Sequence, residues 1–152
     1  MSQAIVLLCG TFLLASIPFT SAVTDEQKAE IQAYFEKIGA ECITDHQISE
    51  ADITELRARK ISSGENVPCF LACMMKKMGI MEDGGNLRKE TALELIKEVI
   101  KDADELKKIE EYLHSCSHVN TEPIGSGEVS CERAMLAYKC MIDNSSQFGI
   151  LV

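Results

Sequence analysis

The chain has no tryptophan, and its three tyrosines and five phenylalanines make aromatics only 5% of 152 residues. Any apolar site in it must therefore rely on Met, Leu and Ile rather than on rings. No Cys-x-x-Cys pair occurs, which argues against zinc, whose cysteines usually come in close pairs. Prolines are few (Pro18, Pro68 and Pro123), and the alternation of a half-buried strand is almost absent, so helix dominates the reading. There is no internal repeat and no low-complexity tract. Nor is there a Ser-centred elbow, a Gly-rich phosphate loop, a His-Glu-x-x-His run, or the His-Asp pair beside adjacent cysteines of a small phospholipase. An enzyme is not expected, and no cofactor or metal is implied. A formal net charge of -9 disfavours nucleic acid as a partner and stable insertion into anionic membranes.

Charge is also missing from the start of the chain: nothing ionisable on a side chain precedes Asp25 apart from Cys9. Residues Ala4 to Phe19 are almost wholly apolar and lead into the small residues Thr20, Ser21 and Ala22. That is the layout of a secretory signal peptide cleaved near Ala22, and the run is shorter than the roughly 20 residues of a membrane span. Residues 1–22 are thus expected to be a leader and 23–152 one helical domain. Cys9 would leave with the leader. Six cysteines remain, Cys42, Cys69, Cys73, Cys116, Cys131 and Cys140, an even set that reads as a disulfide framework in a secreted chain.

Helical periods then run along the domain. Thr24 and Gln27 form a capping box ahead of Ile31, Phe35, Ile38 and Cys42. Ser49 with Asp52 opens a second helix, flanked by Ile48 and Ile53, which ends before Ser62-Ser63-Gly64. A third helix follows Asn66, accepts Pro68 in its first turn, and stops at Gly79. After the turn at Glu82-Asp83-Gly84-Gly85, Asn86 is expected to cap a fourth helix carrying Ala92, Leu95, Ile96, Val99 and Ile100. Asp102 and Glu105 suggest a fresh start before the stripe Leu106, Ile109, Leu113 and Cys116. With no Gly or Pro between them, a single long helix remains an alternative. A sixth helix is expected from about Glu128 to Met141, with a tail from about residue 142.

Cysteine geometry limits the crosslinks. Cys69 and Cys73 lie one turn apart on one helix, with Cβ atoms about 5–6 Å apart, beyond the roughly 3.5–4.5 Å of a disulfide. Cys131 and Cys140 are about 13.5 Å apart along a helix axis. The third and sixth helices must each be tied to two other places. Such staples suit a centre that is left unfilled, or a secreted protein that must survive proteolysis; both readings stand at this point.

The spacing between successive cysteines is 26, 3, 42, 14 and 8 residues. Together with Cys69-Phe70-Leu71-Ala72-Cys73, the Gly84-Gly85 turn and Cys131-Glu132-Arg133-Ala134, it resembles the six-cysteine insect odorant-binding proteins of the pheromone and general odorant-binding type. The other helical six-cysteine family, the saposin-like proteins, spaces its cysteines differently. The resemblance spans nearly all of residues 23–152. It implies an all-α fold of six helices, with a break between the fourth and fifth. It implies the interlocked bridges Cys42–Cys73, Cys69–Cys131 and Cys116–Cys140. It also implies an apolar cavity that carries small hydrophobic molecules through an aqueous secretion such as sensillum lymph to an olfactory receptor, as a monomer or weak homodimer. Transport of other lipophilic ligands, or a helical interaction protein without cargo, are the alternatives.

Candidate pocket residues are Leu71, Met74, Met75, Met78, Leu93, Ile96, Met135, Leu136, Phe148 and Ile150. Methionine adapts to varied apolar shapes, although any single one is as well explained as core filling. Tyr138 or a backbone group is expected to be the polar partner of a ligand that binds near micromolar. His114 and His118, four apart, resemble a metal pair but lack the accompanying glutamate and are better read as exposed. Asn144-Ser145-Ser146 is a sequon, which carriers of this kind usually leave unmodified. The apolar end of the tail is read as a lid, with Asp143 or a histidine as a pH-sensitive element, against a frayed terminus. Deleting Gln147 to Val152 is expected to weaken ligand binding; unchanged affinity in the truncated protein dismisses the lid.

Overall fold

In a computed structural model the described residues are 24–148. The expected leader, Cys9, Ile150 and the last residues of the tail lie outside them. Six α-helices follow in order: α1 Asp25–Asp45, α2 Glu50–Arg57, α3 Val67–Lys77, α4 Lys89–Val99, α5 Ala103–Ser115 and α6 Val129–Ser145, with a short 3-10 helix, Ser117–Thr121, after α5. No helix among the described residues is long and apolar enough to cross a membrane.

Local chemistry sets most helix starts. Thr24 and Gln27 satisfy one another's backbone at the head of α1, as do Ser49 and Asp52 at the head of α2; each box supplies partners for amides that a helix start leaves free. Hydrogen bonds from Ser49 and Ser62 hold the Asp52 carboxyl below its usual range. At the end of α2, Lys60 N bonds Glu55 O and Arg59 N bonds Leu56 O, with Arg59 at φ 56°. That is the Schellman ending, here in a residue other than glycine. Asp102 accepts from Glu105 N at 2.9 Å and starts α5, while Ile100 is extended, so the fourth and fifth helices are separate.

Two expectations need correction. Asn86 does not cap α4: its carbonyl accepts from Glu82 N, and Leu87 forms an isolated antiparallel bridge with Met81. The Asn120 side chain bonds both Leu87 N (2.8 Å) and Leu87 O (3.0 Å), so a distant residue takes Leu87 into a small two-stranded turn and α4 begins at Lys89. The sixth helix does not stop at Met141 but runs to Ser145. Asn144 Nδ2 bonds Cys140 O at 2.8 Å and Ser145 Oγ bonds Ile142 O at 2.8 Å, which extends the helix through the expected start of the tail.

The dense part of the molecule is the α3–α6 pair. Ala134 and Ala137 are fully buried there (0% exposed) with Val67, Leu71, Ala72, Met75, Met81 and Val119. Small side chains let two helices approach closely. A second cluster, Ile38, Cys42 and Phe70, joins α1 to α3. Three disulfides fix these contacts: Cys42–Cys73, Cys69–Cys131 and Cys116–Cys140. They close 31, 62 and 24 residues of chain, each worth about 3–4 kcal/mol on a chain-entropy scale. Arg133, on α6, is buried; a guanidinium nitrogen donates to Val119 O, while its Nε has no partner among the described residues. The guanidinium therefore sits against a backbone carbonyl of the 3-10 helix, which accepts from it.

Gly85, at φ 91°, sits so close to α6 that a Cβ would lie 2.9 Å from Ser130 Cα. Gly85→Ala is expected to destabilise the fold by about 2 kcal/mol or more, from left-handed strain plus overlap with backbone. Gly84→Ala, which meets nothing within 4 Å, should stay within about 0.5 kcal/mol. Urea midpoints of the two variants check this, and equal midpoints refute it.

Candidate functional site

α5 is amphipathic but buries nothing completely. Ile109, Tyr112, Leu113 and Cys116 recur at helical spacing, and two of them fix which way that face looks: Tyr112 Oη donates to Met141 O at 2.7 Å, and Cys116 is bonded to Cys140. Leu106, Ile109 and Leu113 therefore lie on the face turned toward α6, yet all three remain half-buried. On α4, Ala92 and Leu93 are buried, while Ile96, Val99 and Ile100 are half-buried and Leu95 is exposed. Among the described residues, none of Leu93, Ile96, Val99, Leu106, Ile109 or Leu113 belongs to either packed cluster. α4 packs chiefly on α5 and α5 chiefly on α4 and α6. The two helices thus form a wall whose apolar side is only partly covered. Each Å² of that side left to water forfeits about 25 cal/mol, so an apolar occupant is favoured there.

The candidate residues divide across this arrangement. Leu71 and Met75 sit inside the α3–α6 core. Met78, Met135 and Leu136 are half-buried at its margin, and Met74 and Met78 border the Phe70 cluster. Leu93 and Ile96 stand on the α4 wall. Phe148 packs edge-on against Tyr112, with ring centroids 5.8 Å apart, so the residues just after α6 reach across to α5. Tyr138 Oη lies 3.3–3.4 Å from the Lys60 and Leu56 carbonyls, which tethers it to the end of α2.

Two surface clefts have a different character. One, of about 260 Å³, is lined by His46, Cys69, Ala72, Cys73, Lys76, Lys77, Glu128 and Cys131. The other, of about 330 Å³, lies among Lys89, Lys107, Glu110, Glu111 and His114. None of the described candidate pocket residues lines either; the second is lined wholly by charged and titratable side chains, and the first by such side chains together with Ala72 and bridged cysteines. Glu128 stands near Cys69 and Cys131, but those sulfurs are spent on each other and are not thiolate ligands. His114 and His118 are not on one helix: α5 ends at Ser115, and His118, in the 3-10 helix, contacts Ser115 O at 2.9 Å and Glu122 at 3.0 Å.

Stapled helices, a solid half around α3 and α6, and a half-covered aliphatic wall from α4 and α5 are an arrangement that suits a helical carrier of small apolar molecules. Comparison with known proteins agrees: the PBP/GOBP family model matches residues 24–144. The chain belongs to the PBP/GOBP family of insect odorant-binding proteins. It is 27% identical over 147 residues to general odorant-binding protein 19d of Drosophila melanogaster, covering 96% of this chain and 91% of that one. Its fold resembles odorant-binding protein OBP28a of Drosophila melanogaster, with a TM-score of 0.65, 25% identity, and coverage of 82% of this chain and 99% of that one. It also resembles in fold the fatty acid binding protein OBP56a from the oral disk of the blowfly Phormia regina, at a TM-score of 0.52 and 22% identity over 82% of this chain and 96% of that one. The chain is a small-hydrophobic-ligand carrier by family.

Sequence reasoning placed Leu106, Ile109 and Leu113 on an apolar stripe without assigning them to a pocket. The stripe was visible; that the described residues leave it half-buried was not.

Tyr112 reports on this wall. Burial pushes its phenol up to about 12, from an ordinary 10.0, while the positive charge of Arg59 pulls the other way. Because the folded state holds this proton more tightly than the unfolded one, the associated stability is complete below pH 10 and drains away as pH climbs toward 12. In Tyr112→Phe that alkaline loss should shrink, and the latest-titrating phenol should vanish from the absorbance at 295 nm. A variant titrating like the wild type over this range would show that Tyr112 is not the buried phenol.

Proposed function

We propose that the guest lies against the inner faces of α4 and α5, bounded by Leu93, Ile96, Leu106, Ile109 and Leu113, with Met78, Met135, Leu136 and Phe148 at its margins. The single observation carrying this reading is α5: a thirteen-residue amphipathic helix, held to α6 by a disulfide and a hydrogen bond, that completes the burial of none of its apolar side chains. Leu71 and Met75 support the floor from within the core and do not touch the guest.

The chain is exported by its apolar leader, residues 1–22, and works outside the cell. Three disulfides support this, since such bonds persist in oxidising compartments. It takes up odorants, pheromones or similar lipophilic molecules and delivers them to a receptor without chemical change.

Burial of an alkyl chain of about fourteen carbons brings roughly 11 kcal/mol. Losing about 4 kcal/mol to association leaves a Kd on the order of ten micromolar. N-phenyl-1-naphthylamine is therefore expected to bind with enhanced fluorescence at micromolar concentrations and to be expelled by a long-chain alcohol. Ile109→Glu should abolish uptake while leaving the far-ultraviolet circular dichroism intact. Uptake unaffected by Ile109→Glu would place the guest elsewhere, and no uptake by the wild type would refute carriage.

A further inference from the structure

We propose that the unanchored half of α1, residues 25–37, is a gate at the Val99 end of the apolar wall, held shut by the side-chain amide of Gln27 on the Val99 carbonyl; this rests on the carrier reading above. Gln27 Nε2 donates to Val99 O at 3.0 Å, across 72 residues of sequence. Val99 is the last residue of α4, and its carbonyl is one of those a helix end leaves without a partner in the helix. The other end of the same amide is also engaged: Gln27 Oε1 accepts from Thr24 N at 2.9 Å, and Thr24 Oγ1 accepts from Gln27 N at 3.2 Å. One side chain thus clamps the first turn of α1 and the last turn of α4 together.

Among the described residues, little else fastens this part of α1. Its buried residues, Ile38, Gly39 and Cys42, all lie beyond residue 37, and Cys42 is fixed to Cys73. In the first half only Gln27 and Ile31 are half-buried, while Tyr34 and Phe35 are 49% and 41% exposed. Residues 25–37 therefore project about 20 Å from the anchored half. The one glycine of α1, Gly39, sits where anchoring begins, and a glycine inside a helix weakens it locally. Across the clamp, Ile100 is extended and breaks the chain between α4 and α5. Release of one hydrogen bond would let the free half of α1 tilt about its anchored half and open the Val99 end of the wall.

The test separates the latch from the helix cap. Gln27→Glu keeps an oxygen for Thr24 N, in the residue a capping box prefers, but loses the donor to Val99 O. Thr24→Ala removes the cap's hydroxyl and leaves the amide on Val99. Stopped-flow mixing of N-phenyl-1-naphthylamine with each purified protein, together with amide hydrogen exchange over residues 28–37, gives the readout. Gln27→Glu should speed both uptake and release about five-fold, the factor a typical net hydrogen bond represents. Its Kd should move less than two-fold, its exchange over 28–37 should quicken, and Thr24→Ala should leave both rates within two-fold of wild type. Unchanged rates in Gln27→Glu, or equal acceleration in both variants, would overturn the gate. If the wild type takes up no probe, the carrier reading fails and exchange alone judges the gate: faster exchange in Gln27→Glu sustains it, and unchanged exchange overturns it.

Discussion

Two cysteines one helical turn apart, Cys69 and Cys73, pull α3 in two directions, to α6 and to α1. A pair so spaced cannot bond to itself, so α3 becomes the post to which other elements are tied. Cys116–Cys140 then ties the end of α5 to the same α6. Everything dense in the molecule gathers on this frame: the alanines of the α3–α6 contact, the Met81–Leu87 turn held by Asn120, and the 3-10 helix that Arg133 supports. The frame explains how the rest can be left loosely packed. α1 and α5, which bury little of their own, are held to α3 and α6 covalently, and α4 packs on α5.

The loose part is the free half of α1 with α4 and α5. These helices have apolar faces of ordinary strength but lack a packed partner over much of their length. Filling that space with larger side chains would stabilise the fold and close the site. The chain instead keeps aliphatic side chains half-covered, which water tolerates poorly and an alkyl guest does not. The scarcity of aromatics fits this arrangement, since flexible aliphatic and thioether walls accept varied shapes with little geometric demand. Two polar side chains on α5 and α6 have their bonds inside the protein: Tyr112 to Met141 O, and Asn144 to Cys140 O.

Features decided by neighbours in sequence were the legible ones. The capping boxes Thr24–Gln27 and Ser49–Asp52, Pro68 in the first turn of α3 and the Asp102 start of α5 depend on residues a few positions apart. Asn86 misled because the deciding contact comes from Asn120, more than thirty residues away. The end of α6 misled because Asn144 and Ser145, residues that often break helices, here bond back to their own helix. The site was legible only in outline. Helical periodicity shows that Leu71, Met75, Leu93 and Ile109 each face inward, but not whether another side chain or a guest covers them. Leu71 and Met75 proved to be covered by the core. Leu106, Ile109 and Leu113, whose stripe reads the same in sequence, did not. Both sets are flexible apolar side chains; the difference lies in their neighbours, since α6 packs closely on α3 around Leu71 and Met75 while Leu106, Ile109 and Leu113 belong to neither packed cluster.

The central claim is that the apolar wall of α4 and α5 is completed by a guest and the α3–α6 core is not. Methyl-resolved NMR of the protein titrated with a linear decane-length alcohol tests it most directly. The account predicts progressive shifts at Leu93, Ile96, Leu106, Ile109 and Leu113, with the methyls of Val67 and Val119 unmoved. Shifts confined to the core valines, or none at saturating alcohol, would contradict it.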